Sequence, residues 1–142
     1  MATATAAPTA QAEQKDARKF FSYQDLVVWQ RAMTLVTAVY ELTAQFPEEE
    51  LYGLTAHMRH AAIVMPSTIA EGKRSPSKKE FIDGLRSATR AGAELETHVE
   101  IAKQLPGTQG FDYQHVETVL GEVMRMLSAL TKKLNAPKAE AK

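Results

Sequence analysis

Cysteine is absent from the 142 residues, which excludes a disulfide framework, thiolate metal sites and a cysteine nucleophile. Net charge is absent too: seventeen Lys and Arg balance seventeen Asp and Glu. The chain therefore does not coat nucleic acid by bulk electrostatics, and any basic surface must be a local patch. No apolar run approaches the ~20 residues of a membrane span, and the N-terminus lacks a secretory apolar stretch, so no membrane partner is expected. The few glycines never cluster as a phosphate cradle or dinucleotide fingerprint, and no Gly-x-Ser-x-Gly nucleophile turn occurs. What survives is one domain, long enough to bury a core, comfortable in a reducing cytoplasm and with no cofactor implied.

What is present is helical. Residues 1–19 hold Ala, Thr, Pro, Gln and a few charges and read as a disordered tail, because so little apolar surface cannot offset the entropy of ordering. Residues 135–142 have the same character. Residues 20–134 carry four segments with helical period. The first opens at Ser22, with Asp25 completing a capping box. It carries the stripe Leu26, Trp29, Met33, Val36, Tyr40, and beside it Val28, Ala32, Leu35, Val39 and Leu42. So wide an apolar arc exceeds what one bundle core needs, so this helix is either central or meets a partner chain.

Phe46-Pro47 ends that helix, and Glu48, Glu49 and Glu50 suit the first turn of the next. The second helix, about 50–72, buries Leu54, Met58, Ala61, Ala62, Met65 and Ile69. Pro66 inside it predicts a kink or break, and Gly72 followed by Lys73 and Arg74 reads as a stop. Ser77 with Glu80 predicts a capping box for a third helix over 77–105, striped by Phe81, Leu85, Ala88, Gly92, Leu95, Val99 and Ala102. Breakers at 106–110 precede a fourth helix capped by Asp112, with Val116, Val119, Leu120, Val123, Met126, Leu127 and Leu130 at helical spacing. No segment alternates as a strand does. The expected architecture is an all-α, antiparallel up-down-up-down four-helix bundle.

Helical bundles can house carboxylate-bridged metals, which use Glu-x-x-His pairs on two helices. The chain offers no such pair; it has Glu94 and His98 at i, i+4, and His57 and His60 at i, i+3. A metal-dependent enzyme built on Glu71, His57, Glu94 and His98 is the alternative to a non-enzymatic protein. The blander reading pairs Glu94 and Glu96 with Arg59 or Arg90 and leaves the histidines at surfaces.

Charge is locally segregated. Between residues 70 and 90, the cations Lys73, Arg74, Lys78, Lys79, Arg86 and Arg90 meet only three acids. Lys79, Arg86 and Arg90 fall near one helix face, so a basic patch at one bundle end is available to phosphate backbones. The competing reading is a solvated helix end whose cations complement a helix dipole, and no aromatics interleave as stacking platforms. Acidic clusters stand at Glu48–Glu50 and at Glu94, Glu96 and Glu100.

These segments together resemble a known family. Asp25-Leu26-Val27-Val28-Trp29-Gln30-Arg31-Ala32, Val39-Tyr40-Glu41-Leu42-Thr43, Phe46-Pro47 and Tyr52-Gly53-Leu54 are similar to the four-helix-bundle proteins encoded in intervening sequences of bacterial 23S rRNA genes. Arg59-His60-Ala61-Ala62, Pro66-Ser67-Thr68-Ile69-Ala70-Glu71-Gly72, Glu80-Phe81 and Glu94-Leu95-Glu96-Thr97 continue the resemblance over about residues 23–134. It implies a bacterial, cytoplasmic bundle that assembles as a homopentamer. A similar fold occurs in the accessory variability determinant of diversity-generating retroelements, a basic pentamer that binds reverse transcriptase and nucleic acid. This chain departs from that relative by its neutrality, and from the family by His60, where a second arginine is common. Residues 1–19 have no counterpart. The family motifs make sense first as structure: Trp29, Tyr40, Glu71 and Glu96 within the motifs, Pro66 setting a kink, Ala70, Gly72, Ala88 and Gly92 admitting close helix contact. Arg59 and Glu94 are expected to form a partly buried ion pair. An oligomer touching RNA, DNA or a reverse-transcriptase-like protein follows as the expected partner set.

Overall fold

The computed structural model describes residues 22–137, so the tail expected over 1–19, and residues 138–142 of the one expected over 135–142, lie outside the described residues. Among the described residues four α-helices make up the fold: α1, Val27–Thr43; α2, Ala56–Arg74; α3, Lys78–Gln104; and α4, Gln114–Asn135. No strand occurs among the described residues. The helices are antiparallel neighbours. Thr43 meets Arg59 where α1 meets α2, His57 faces His98 across α2 and α3, Lys103 bonds Glu117 across α3 and α4, and Arg31 bonds Glu122 across α1 and α4. In the first three pairs a residue near one helix end meets one near the other helix's opposite end, as short connections demand, and Arg31 meets α4 nearer its middle.

The core is built from one stripe per helix: Val28, Ala32, Leu35, Val39 and Leu42 of α1, Met58, Ala62, Met65 and Ile69 of α2, Leu85, Ala88, Leu95 and Val99 of α3, and Val116, Leu120, Val123 and Leu127 of α4. Burial of such side chains stabilises by about 1.5–3 kcal/mol each. The expected α3 and α4 stripes are thus the buried ones, apart from Phe81, Met126 and Leu130, which are half-buried against the core.

Local details differ from expectation where several signals competed. The Ser22–Asp25 capping box forms, but it closes a single 3-10 turn, Tyr23–Asp25; Leu26 is extended (φ −74°, ψ 126°) and α1 starts afresh at Val27. The second helix does not begin at residue 50. Glu48–Glu50 make a 3-10 turn and Leu51–Thr55 a wide π turn, with Gly53 out of helical geometry at ψ −108°. Pro66 does not break α2, which runs uninterrupted to Arg74. Ser67 and Thr68, the next two residues, donate their hydroxyls to the Ile63 and Val64 carbonyls at 2.9 Å, just after the place where proline removes a donor.

Gly72 does not stop the helix either. Its place is at the α2–α3 crossing, where an added Cβ would lie 2.9 Å from the Glu80 carbonyl. At its neighbour Gly84, a Cβ would collide with the Thr68 carbonyl. Ser77 caps α3 by accepting from the Glu80 amide at 3.2 Å, but the Glu80 carboxylate turns to the Ser75 hydroxyl instead of closing a capping box. Asp112 accepts from the Gln114 amide at 3.0 Å while Tyr113 takes the cap position of α4. That helix runs through Asn135, one residue past the expected domain end.

Candidate functional site

The widest departure from an ordinary core lies on α1. Of its two apolar stripes, the second is the buried one. The first points outward: Met33 and Tyr40 are 43% and 40% exposed, while Trp29 and Val36 are half-buried. Tyr23 from the preceding turn packs edge-on to Trp29, ring centroids 5.3 Å apart. Ile63 of α2, 40% exposed, extends the surface, and a shallow groove of about 310 Å3 runs between the helices along Trp29, Met33, Val36, Ile63, Pro66 and Ala70. Pro66 is buried and serves as part of that groove's floor.

Arg59 stands at the end of the same face. Its guanidinium lies over the Tyr40 ring, 4.3 Å from the centroid, and its Nε donates to the Thr43 hydroxyl at 2.8 Å. The expected ion pair with Glu94 does not form. Residue 59 turns towards α1, whereas Glu94 is exposed in the outer groove between α2 and α3, alongside His60, Val64 and Arg90. Nor does Arg90 pair with Glu94 or Glu96; it donates to the Ser87 hydroxyl at 3.2 Å. Glu96 borders the α3–α4 groove with Glu100 and Glu117, and Lys103 bridges the latter two.

Four of the six cations flank the α2–α3 connection, and two lie further along α3. Lys73 and Arg74 end α2, with Lys73 Nζ 5.4 Å from the Phe81 ring centroid, and Lys78 and Lys79 begin α3. Lys79 is partly neutralised by Asp83 at 3.4 Å. Arg86 and Arg90 lie further along, on the α3–α4 side. There they share a groove of about 540 Å3 with Lys132 and the hydroxyl groups of Thr89, Ser128 and Thr131. No carboxylate pairs with Arg86, Arg90 or Lys132 among the described residues. Lys132 escaped the sequence reading because only the antiparallel register of α3 and α4 brings it opposite Arg86.

The metal quartet is not assembled. His57 and His98 face each other with ring centroids 6.1 Å apart, and Glu94 lies one turn from His98. Glu71 is fourteen positions from His57 on the same helix, roughly 21 Å at 1.5 Å per residue. Among the described residues no group of three His, Cys, Asp or Glu is placed to hold a metal ion. His98 Nδ1 is buried without a hydrogen-bond partner. Burial pulls its pKa below that of a free imidazole, the nearby His57 pulls in the same direction, and Glu94 opposes them.

A square bundle with an apolar outer stripe on α1 and the ordered motifs from Trp29 to Glu96 is the arrangement expected of the proteins resembled above. Residues 24–129 match the family described as 23S rRNA-intervening sequence protein. The chain belongs to that family. No curated protein sequence matches it. Within the matched span lie all four core stripes, the Arg59–Tyr40 contact and the glycine crossing of α2 and α3. Among the described residues, no helix of this family member is long and apolar enough to cross a membrane.

Proposed function

We propose that this intervening-sequence family protein is a non-enzymatic, oligomeric scaffold of the bacterial cytoplasm, five copies to a ring, held together through the outer face of α1 and α2. The observation that carries this reading is the outward stripe of Met33 and Tyr40 with Ile63 beside it, a contiguous apolar surface of the kind that marks protein contact. The number of copies is what the resemblance to the family implies. Light scattering at micromolar concentration tests it: a mass of several chains is expected, and Met33→Asp with Ile63→Asp lowers that mass while helix content stays. A wild-type mass of one chain overturns the reading.

A nucleic-acid contact is the second part of the proposal, and a specific observation favours it. Arg86, Arg90 and Lys132 converge on one groove without a neutralising acid among the described residues, and hydroxyls stand between them. Phosphates are the natural guests of such a groove. In a ring the groove repeats once per subunit, so weak individual contacts add by multivalency. A nucleic-acid enzyme brought to the ring by that shared RNA or DNA would complete the scaffold's role.

A further inference from the structure

We propose, resting on the oligomeric reading above, that Arg59 of one copy pairs with Glu94 of the next, so that the α1–α2 face of each subunit seats in the α2–α3 groove of its neighbour. The two side chains lack each other within the chain for a geometric reason: they sit on adjacent faces of the bundle, on either side of α2. Arg59 is half-buried and uses its Nε on Thr43, while its terminal amino groups meet no acceptor among the described residues. Glu94 is exposed with no ion-pair partner among the described residues. Each is thus half of a charge-assisted contact, and a guanidinium fork is well suited to a carboxylate.

Height along the bundle agrees. The contacts His57–His98 and Met65–Gly92 place Glu94 level with α2 two to four positions beyond Arg59, roughly 3–6 Å along the axis. Copies related by rotation about an axis parallel to the bundle meet at equal heights, so a long arginine spans the difference. Shape agrees too. The α2–α3 groove, about 640 Å3, is lined by Val64, Ala91 and Ala93 between the polar side chains of His60, Ser87 and Arg90, and its small apolar residues leave room for the Met33, Tyr40 and Ile63 side chains of a neighbour. The two faces differ, so the contact is head-to-tail; because they are adjacent and not opposite faces of the bundle, each contact turns the next copy, which favours a small closed ring over a straight filament.

Charge exchange in the full chain is the test, read as mass by light scattering with helix content as a folding control. Wild type is expected as an oligomer, Arg59→Glu and Glu94→Arg each as a single chain, and the double exchange as the oligomer again. Glu94→Arg is the cleaner arm, since Glu94 makes no ion pair that its loss would break. A second arm uses the cysteine-free background: Arg59→Cys with Glu94→Cys should give a ladder of disulfide-linked chains under copper–phenanthroline. Oligomeric wild type with both single exchanges still oligomeric, or a double exchange that stays dissociated, overturns the pairing alone. A wild-type single chain overturns the oligomeric reading itself.

Discussion

Arg59 stacks its guanidinium on the Tyr40 ring at 4.3 Å and binds the Thr43 hydroxyl with its Nε, so a residue of α2 is held by two residues of α1. Thr43 keeps a separate bond to the Val39 carbonyl at 2.8 Å, so Arg59 is the guest and not the support of that hydroxyl. In the Met33→Asp, Ile63→Asp background, where the copies are expected to separate, Tyr40→Leu should therefore cost only the stacking, about 0.5–1 kcal/mol in a urea titration. A loss of several kcal/mol would show that Tyr40 is structural instead.

The α2–α3 crossing gives a sharper contrast between two glycines. Gly84→Ala drives a methyl into the Thr68 carbonyl, and backbone cannot rotate away as a side chain does. Overpacking of this kind costs about 1–3 kcal/mol, with a corresponding fall in Tm. Gly110→Ala meets nothing within 4 Å and should leave Tm within a degree or so of wild type. Equal melting points for the two variants would remove the close-approach argument.

Periodicity made the helices and core legible, because repeats such as Leu85, Ala88, Leu95 and Val99 have only one way to share a buried face. It could not say which of two adjacent stripes on α1 faces inward, since Trp29 and Leu35 satisfy the same apolar rule. Single-residue signals failed where neighbours outvoted them. Pro66 is absorbed by a buried site followed by the hydroxyls of Ser67 and Thr68, and Gly72 by a crossing with Gly84 that only tertiary register brings about. The candidate surfaces were half legible: Arg86 and Arg90 announced a basic face, but Lys132 joins them only through tertiary register. The Arg59–Glu94 pair looked right by charge and failed by direction.

His98 predicts the pH dependence. Its folded pKa is lowered by burial first and by His57 second, with Glu94 pulling the other way. The unfolded chain therefore takes the proton before the folded one, and stability rises with pH across that window. Wild type should lose stability as pH falls through about 6.5, the value of a free imidazole. His98→Gln should lose less over the same range. Parallel urea midpoints for the two proteins between roughly pH 7.5 and pH 5 would remove His98 from the account.

The loop before α4 is locked by one buried chain of hydrogen bonds. Thr108 donates to the Ala102 carbonyl at 2.7 Å, and the Tyr113 hydroxyl donates to the Thr108 carbonyl at 2.6 Å. Burial also pushes the Tyr113 phenol pKa up, keeping it in the donating form. Tyr113→Phe leaves the Thr108 carbonyl without that donor and should cost about 1–3 kcal/mol by thermal or urea unfolding. No measurable change would mean that the carbonyl finds another donor.

The groove between α3 and α4 can be separated from the helix turn by salt dependence. Replacing Arg86, Arg90 and Lys132 with Glu removes three cations that converge on one groove. If each meets one phosphate of a single-stranded RNA, the slope of log affinity against log salt should become shallower by roughly 2, at about 0.7 per phosphate. Lys78→Glu with Lys79→Glu changes net charge at the turn instead, where Asp83 already screens Lys79 at 3.4 Å. That pair should weaken binding at low salt yet shift the slope by less than the groove variant. Equal slopes for the two variants would assign the effect to overall charge, and no RNA binding by wild type at low salt would end the nucleic-acid half of the proposal. Long-range charge lowers affinity without counting phosphates, whereas contact in the groove counts them, so the slope carries the distinction that affinity alone does not.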